Sequence, residues 1–473
     1  MNIVDKFYIN GKWVQPAAGA TQADIIDPAT EAVAGRLAMG TAADVDQAVA
    51  AARAAFPAWS VSTRETRIAL LERIIAAYQA RMGDLAQAVR QEIGAPITLA
   101  TNLQAAIGLA QLQATLQALR DFEFETTRGK SYMLREAIGV AALITPWNWP
   151  LNQIAAKVAP ALAAGCTVVL KPSEIAPLDA RIFAEIMDAA QTPPGVFNMI
   201  YGEGRPVGAA LSSHPGVDMV SITGSTRAGV EVAISAAPTV KRVAQELGGK
   251  SPMIVLDDAD LQAAVTSGVA QCMVNTGQTC IAPTRLLVPR SRYEQAVQIA
   301  AAVANAVKVG DPSDPETKMG PISNRGQYDK VQRLIGVGIE EGARVAAGGP
   351  GRPDGLERGF YARPTIFADV RNDMTIAREE IFGPVMCLLP YDTEEEAVAI
   401  ANDTEFGLAA YIASSDPART RKLAARLRAG SVRINGAMMD ITAPFGGYKT
   451  SGNGREYGPE GIAEFLEIKT VTG

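Results

Sequence analysis

Residues 137–170 read AIGVAALITPWNWPLNQIAAKVAPALAAGCTVVL, and this stretch decides the architecture. Its first eight residues form an apolar run without polar alternation, the pattern of a parallel strand buried on both faces. TPWNWP (145–150) then interrupts the chain with two prolines and two tryptophans. Residues 151–164 carry apolar side chains at helical spacing and stop at Gly165, since glycine ends a helix easily. A second short apolar run, 166–170, follows. Strand, helix and strand at this spacing make a parallel crossover unit.

Downstream the pattern recurs: helix 178–190, strand 196–200, helix 206–212, strand 217–222, helix 226–235, strand 241–247. Such alternation implies an α/β fold with a doubly wound sheet, in which ligands bind at the carboxyl ends of strands. A second α/β region opens near Ser251 with helix 261–274, strand 285–288 and helix 293–307, and alternates through 432–435. Upstream, residues 8–13 read as a hairpin around Asn10-Gly11. Residues 43–59, 63–80 and 84–120 read as helices, the last interrupted near Gly94-Ala95-Pro96. Residues 122–135 turn polar, aromatic and β-branched, as an exposed hairpin does, and 465–471 read as a late strand. At 473 residues the chain exceeds one ordinary core, so two or three closely packed domains are expected.

Composition removes several classes of function. A net charge of −6 argues against nucleic acid as a partner. No apolar run approaches the roughly 18 residues of a membrane span, and residues 1–13 lack the plan of a signal peptide. A cytoplasmic enzyme with no membrane partner is expected. The four cysteines, Cys166, Cys272, Cys280 and Cys387, are too scattered for a disulfide framework. The chain holds 1 histidine, His214, in a polar stretch before Pro215 that reads as exposed loop. A His-based triad or His-rich metal site is therefore not expected, no metal is called for, and a catalytic base falls to a carboxylate or a lysine.

Several strand-end segments carry chemistry. In TPWNWP the rigid loop presents Asn148, whose amide is either a donor to a developing oxyanion or an Asx-turn residue. In KPSE (171–174), Lys171 and Glu174 either grip the hydroxyls of a nucleotide ribose or form a solvated helix start. An acid there repels a 2′-phosphate and so favours NAD over NADP. Gly224-Ser225-Thr226 opens a helix after a strand, where amides suit a pyrophosphate. Gly202, Gly204 and Gly208 approach the dinucleotide fingerprint but miss its spacing. ELGGK (246–250) ends like a P-loop, yet Ala244 stands where that motif needs glycine. In 275–280, Cys280 sits in a polar, Gly-punctuated turn, whereas Cys166, Cys272 and Cys387 look like buried small hydrophobes. Cys280 is either a nucleophile or one more packed cysteine.

Together, and in this order, TPWNWP, KPSE, TGST (223–226), ELGGK, GQTC (277–280), EEIFGP (379–384) and PFGGYKTSG (444–452) resemble the aldehyde dehydrogenase superfamily over essentially the whole chain. The resemblance implies a Rossmann-like NAD-binding domain (1–118 and 138–248), an α/β catalytic domain (249–450) and a small β oligomerisation element (119–137 and 451–473). A homodimer or homotetramer follows. It implies that Cys280 attacks the aldehyde, that Asn148 and the Cys280 N–H hold the oxyanion, and that Glu246 activates water against the thioester. Lys157 supports the Cys280 loop or proton traffic. NAD would meet Thr145, Pro146, Trp147, Asn148, Lys171, Ser173, Glu174, Gly204, Gly208, Thr223, Gly224, Ser225, Leu247, Gly248, Glu380 and Phe382. The aldehyde tunnel would be lined by Trp149, Gln153, Ala156, Thr279, Ile281, Met439 and Phe445. Small or flexible residues at Ala156 and Met439 suggest a roomy apolar tunnel for medium-chain aliphatic or aromatic aldehydes. Glu246 favours hydrolysis to the free acid over transfer to a second thiol. The rival reading is a non-redox cysteine hydrolase or acyltransferase using Cys280 and Glu246.

Overall fold

A computed structural model describes residues 2–473. Five parallel strands, Val140–Ile144, Thr167–Lys171, Phe197–Met199, Met219–Thr223 and Arg242–Glu246, form the centre of an eight-stranded sheet. Numbered in chain order they stand 3-2-1-4-5, so the order reverses between Val140–Ile144 and Met219–Thr223. A crevice opens at such a reversal, beyond the strands' carboxyl ends. The loops leaving these two strands are TPWNWP and TGST. The hairpin Phe7–Ile9/Lys12–Val14 extends one edge, its turn made by Asn10 and Gly11 at φ 53° and 70°. Gly452–Asn453 caps the other edge against Arg242–Glu246.

The second sheet has seven strands, in the order Arg344–Ala347, Thr365–Ala368, Val385–Tyr391, Arg285–Pro289, Pro252–Val255, Ala409–Ala413 and Ser431–Ile434. All neighbours but the first pair are parallel. A third, antiparallel sheet joins Glu125–Arg128 and Ser131–Ala137 to the tail strand Leu466–Thr472, so the exposed hairpin and the late strand are one structure.

Two expectations change. The first buried strand starts at Val140; Ala137 belongs to the antiparallel sheet. The chain turns between them at Gly139, where φ is 140° and a Cβ would lie 1.8 Å from Asp218 Oδ2. A further sheet of Asn2–Val4, Ala32–Met39 and Thr21–Asp27 was not legible. Its strands are half exposed and carry acidic and small residues among the apolar ones, which blurs the two-residue period.

The crossover helix Pro150–Ala164 is buried along its whole length, with Pro150 at its first turn. Surrounded by sheet and helices, it fixes the TPWNWP loop rigidly at the crevice.

Candidate active site

The loop before Cys280 is held in an unusual backbone. Helix Leu261–Met273 ends, and Asn275, Thr276 and Gly277 follow at φ 53°, 58° and 70°. Left-handed backbone costs a non-glycine residue about 1–3 kcal/mol, so surrounding bonds must impose it. They are hydrogen bonds made by side-chain amides. Asn275 Nδ2 and Gln104 Nε2 both donate to the Asn148 carbonyl, at 2.8 and 3.1 Å. Gln278 Nε2 donates to the Asn275 carbonyl at 3.0 Å, and Gln278 Oε1 accepts from Ser323 N–H at 2.9 Å. Asn148 Nδ2 donates to the Gln278 carbonyl at 3.0 Å. Thus the Asn148 and Cys280 loops are tied into one network. On the far side, Trp149 Nε1 donates to Thr279 Oγ1 at 2.9 Å and Tyr411 Oη to the Ile281 carbonyl at 2.7 Å.

Cys280 is half-buried, while Cys166, Cys272 and Cys387 are fully buried. Two cavities meet at it. One, of about 250 Å³, is lined by Pro146, Trp147, Asn148, Thr223, Gly224, Ser225, Glu246, Leu247, Gly248, Glu380 and Phe382, with Gln327 and Lys330. The other, of about 310 Å³, is mostly apolar and is lined by Trp149, Thr279, Ile281, Met439 and Phe445 among others. Cys280 and Gln153 border both. A reagent entering by each cavity would reach the same sulfur.

Glu246 and Lys157 of the crevice are buried, and Cys280 and Glu380 are half-buried. Burial pushes the Cys280 thiol well above its ordinary range, and the Glu246 and Glu380 carboxyls push the same way. Glu246 is 3% exposed and neither carboxyl oxygen has a hydrogen-bond partner within the chain. Burial, then Glu456, pushes its pKa well above the carboxylate range, and Lys157 opposes this. Lys157, 1% exposed, pairs with Glu456 and donates to Ser221 Oγ at 3.1 Å. Glu380 Oε1 accepts from Gly249 N–H at 2.8 Å. Side chains are excluded here: a Cβ on Gly248 would lie 2.5 Å from Glu380 Oε2, and one on Gly249 2.4 Å from the Cys280 carbonyl. Phe382 has φ 60° and sets its ring edge-on to Trp147, centroids 5.6 Å apart. Gln327 Nε2 pins it by donating to the Ile381 and Phe382 carbonyls, both at 2.9 Å.

Comparison with known proteins places this geometry. The Aldehyde dehydrogenase family model matches residues 13–471. The chain belongs to the aldehyde dehydrogenase family. Among relatives, a 3-succinoylsemialdehyde-pyridine dehydrogenase of a Pseudomonas species is 54% identical over 99% of this chain and 98% of its own. A cysteine-to-alanine mutant of aldehyde dehydrogenase C from Pseudomonas syringae, solved with NAD+ and octanal, superposes with a TM-score of 0.98 at 52% identity, covering 99% of this chain and 96% of the other. An aldehyde dehydrogenase of Mycobacterium tuberculosis, complexed with NAD+, gives 0.97 at 42% identity, covering 100% and 98%.

In this aldehyde dehydrogenase, some residues singled out from sequence stand away from the two cavity walls. Lys171, Ser173 and Glu174 lie at the next strand end. Lys171 Nζ bonds the Pro172 carbonyl at 3.1 Å and Glu174 at 3.4 Å, and Ser173 Oγ accepts from Ile175 N–H at 3.2 Å. Gly208 approaches Lys171, and Gly204 faces open space. Thr145 is buried beside the loop, its Oγ1 without a partner. Ala156 is 3% exposed and clusters with Phe445 and Tyr457, against which Cys280, Ile281 and Met439 pack. His214 departs from the expected exposed loop residue. Its side chain is only 20% exposed, with Nδ1 accepting from Gly216 N–H and Nε2 3.2 Å from Asp46. Glu456, Tyr411, Gln104, Gln278, Gln327 and Lys330 were missed. Their signal is contact across the fold, invisible in local sequence. Among the described residues no helix is long and apolar enough to cross a membrane.

Proposed function

We propose that the enzyme oxidises medium-chain aliphatic or aromatic aldehydes to free carboxylic acids with NAD+ and water. The observation that carries this is the meeting of a polar and an apolar cavity at Cys280, with Glu246 on the polar side. Aldehyde enters by the apolar cavity. Cys280 releases its proton to solvent water and its sulfur attacks the carbonyl carbon, forming the oxyanion of a thiohemiacetal. The oxyanion is held by the Asn148 amide and the Cys280 N–H, donors already positioned by the amide network. Hydride loss from the thiohemiacetal carbon, for which an NAD+ held by Glu380 and Phe382 would supply the acceptor, leaves a thioester on Cys280. Glu246, once ionised, takes a proton from water as it attacks the thioester; the acid departs and the thiol is regenerated. Lys157 favours the ionised form of Glu246 and Glu456 disfavours it, so the pair sets the pH at which this base works.

The polar cavity suits the cofactor. The helix Thr226–Ala236 opens there behind Ser225, offering free N–H groups to a pyrophosphate. The Thr223 hydroxyl is buried without a partner at the same edge. Glu380 would hold the nicotinamide ribose, Phe382 the ring, and Lys171 with Glu174 the adenosine ribose. Glu174 favours NAD over NADP through repulsion of a 2′-phosphate. The Pseudomonas syringae neighbour binds NAD+ and octanal together, which supports both cofactor and substrate class. In domain terms, residues 1–118 and 138–248 bind cofactor, 249–450 carry the catalytic cysteine, and 119–137 with 451–473 join subunits. The free outer edges of the antiparallel sheet favour a homodimer or tetramer. The test is NADH formation from an aldehyde panel. Strong preference for short, charged semialdehydes would refute the substrate class, and full activity in Cys280→Ala would refute the mechanism.

A further inference from the structure

Two polar side chains of the apolar cavity carry an atom without a hydrogen-bond partner: Gln153 Oε1, which also borders the polar cavity, and Arg433 Nη2. Thr279 accepts from Trp149, Tyr411 donates to the Ile281 carbonyl, and Gln271 donates to Ser267. Arg433 differs. It lines the cavity and is half-buried, and Nη2 is shielded from solvent without a hydrogen-bond partner. Among the described residues no carboxylate pairs with it. Arg285, the most buried arginine, spends its donors on Lys250, Asn372, Ile400 and Ala401. A guanidinium has five donors and no acceptor capacity, so an apolar wall leaves it unsatisfied until an acceptor arrives.

Its position is fixed. Arg433 lies on the last strand of the seven-stranded sheet, in register with Tyr411 on the neighbouring strand. Its guanidinium stacks over the Tyr411 ring, 5.7 Å from the centroid. Tyr411 in turn holds the Ile281 carbonyl beside Cys280. One rigid wall therefore carries the nucleophile at one point and an unpaired cation at another.

We propose that Arg433 is a specificity-determining residue that receives an acceptor oxygen at the remote end of the aldehyde. This rests on the aldehyde-oxidising reading and sharpens it: the preferred substrate has an apolar body with a carboxylate or ketone oxygen distant from the reacting carbon. The carboxylate makes the stronger, charge-assisted bonds.

The test compares octanal, the oxo acid of the same length and a keto-aldehyde of similar size. In the wild type, the oxo acid or the keto-aldehyde should have the higher kcat/KM. In Arg433→Met its advantage over octanal should fall about 10- to 100-fold, mostly through KM. Arg433→Lys should restore part of the loss to the carboxylate substrate. Loss confined to the oxo acid identifies the carboxylate; loss confined to the ketone identifies the neutral acceptor. A ratio unchanged by Arg433→Met, in protein of wild-type melting temperature, overturns the proposal. Calorimetry without turnover reads Arg433 separately from catalysis. Octanedioate or the keto acid should bind the wild type more tightly than octanoate and lose that margin in Arg433→Met. Equal binding of all three acids to the wild type overturns the proposal even if aldehyde oxidation stands.

Discussion

A Cβ added to Gly277 would lie 2.0 Å from the carbonyl oxygen of Gly383. The turn before Cys280 thus rests directly on the backbone that leads into the strand Val385–Tyr391. This contact, with the amide network, fixes where the sulfur points.

Gly277→Ala tests that brace. Alanine meets both a left-handed backbone, φ 70°, and a backbone oxygen that cannot swing aside. We expect a loss of about 2–4 kcal/mol in stability and a displaced Cys280, read as slower alkylation of its thiol. A melting temperature and thiol reactivity equal to wild type would contradict it.

Glu246→Gln removes the base and keeps the shape. Acylation needs no water, so NADH should still appear as a burst of about one equivalent per site. Steady turnover should then fall by about 100- to 10,000-fold. Loss of the burst itself would place Glu246 in the first half of the reaction.

Lys157 and Glu456 act on Glu246 with opposite sign. Burial favours the protonated form of Glu246, which must lose its proton to work, so hydrolysis rises as pH rises. Lys157→Met withdraws a charge that favours ionisation and should move this limb to higher pH. Glu456→Gln should move it to lower pH. Rate–pH profiles of the deacylation step check both; shifts in the same direction would show that the pair acts only through structure.

Asn148→Ala removes one of two oxyanion donors and should lower kcat about 100- to 1,000-fold. Octanal analogues that bind without reacting should retain their affinity. An equal loss in that affinity would show that the Cys280 loop, which Asn148 also ties down, has moved.

Away from the site, Glu92 and Asp179 are both 0% exposed. Glu92 accepts from the Leu178 and Asp179 N–H groups at 2.6 and 3.1 Å, while the Asp179 carboxyl oxygens have no partner. Burial pushes both groups well above the carboxylate range. A folded-state pKa raised above the unfolded one contributes stability at low pH, and that contribution is lost as pH rises through the folded value. Asp179→Asn cannot ionise, so it should exceed wild type by about 1–3 kcal/mol at alkaline pH and show no such advantage in acid. Denaturant unfolding at two pH values measures this.

The doubly wound sheet and the strand-end loops were legible in residues 137–247, because a parallel sheet demands unbroken apolar runs and its helices demand their own period. Cys280 and Asn148 stood out because a cysteine in a polar turn and an amide in a proline-locked loop need a reason. Two-sided burial and rigid turns leave marks in adjacent residues. Burial of single groups by distant chain does not. That His214 is mostly covered, that Glu456 lies beside Lys157 and that Arg433 lines an apolar cavity with no partner were settled only by tertiary packing. These relations join residues up to 299 positions apart, and their physics, desolvation and charge at a few ångströms, has no local signature.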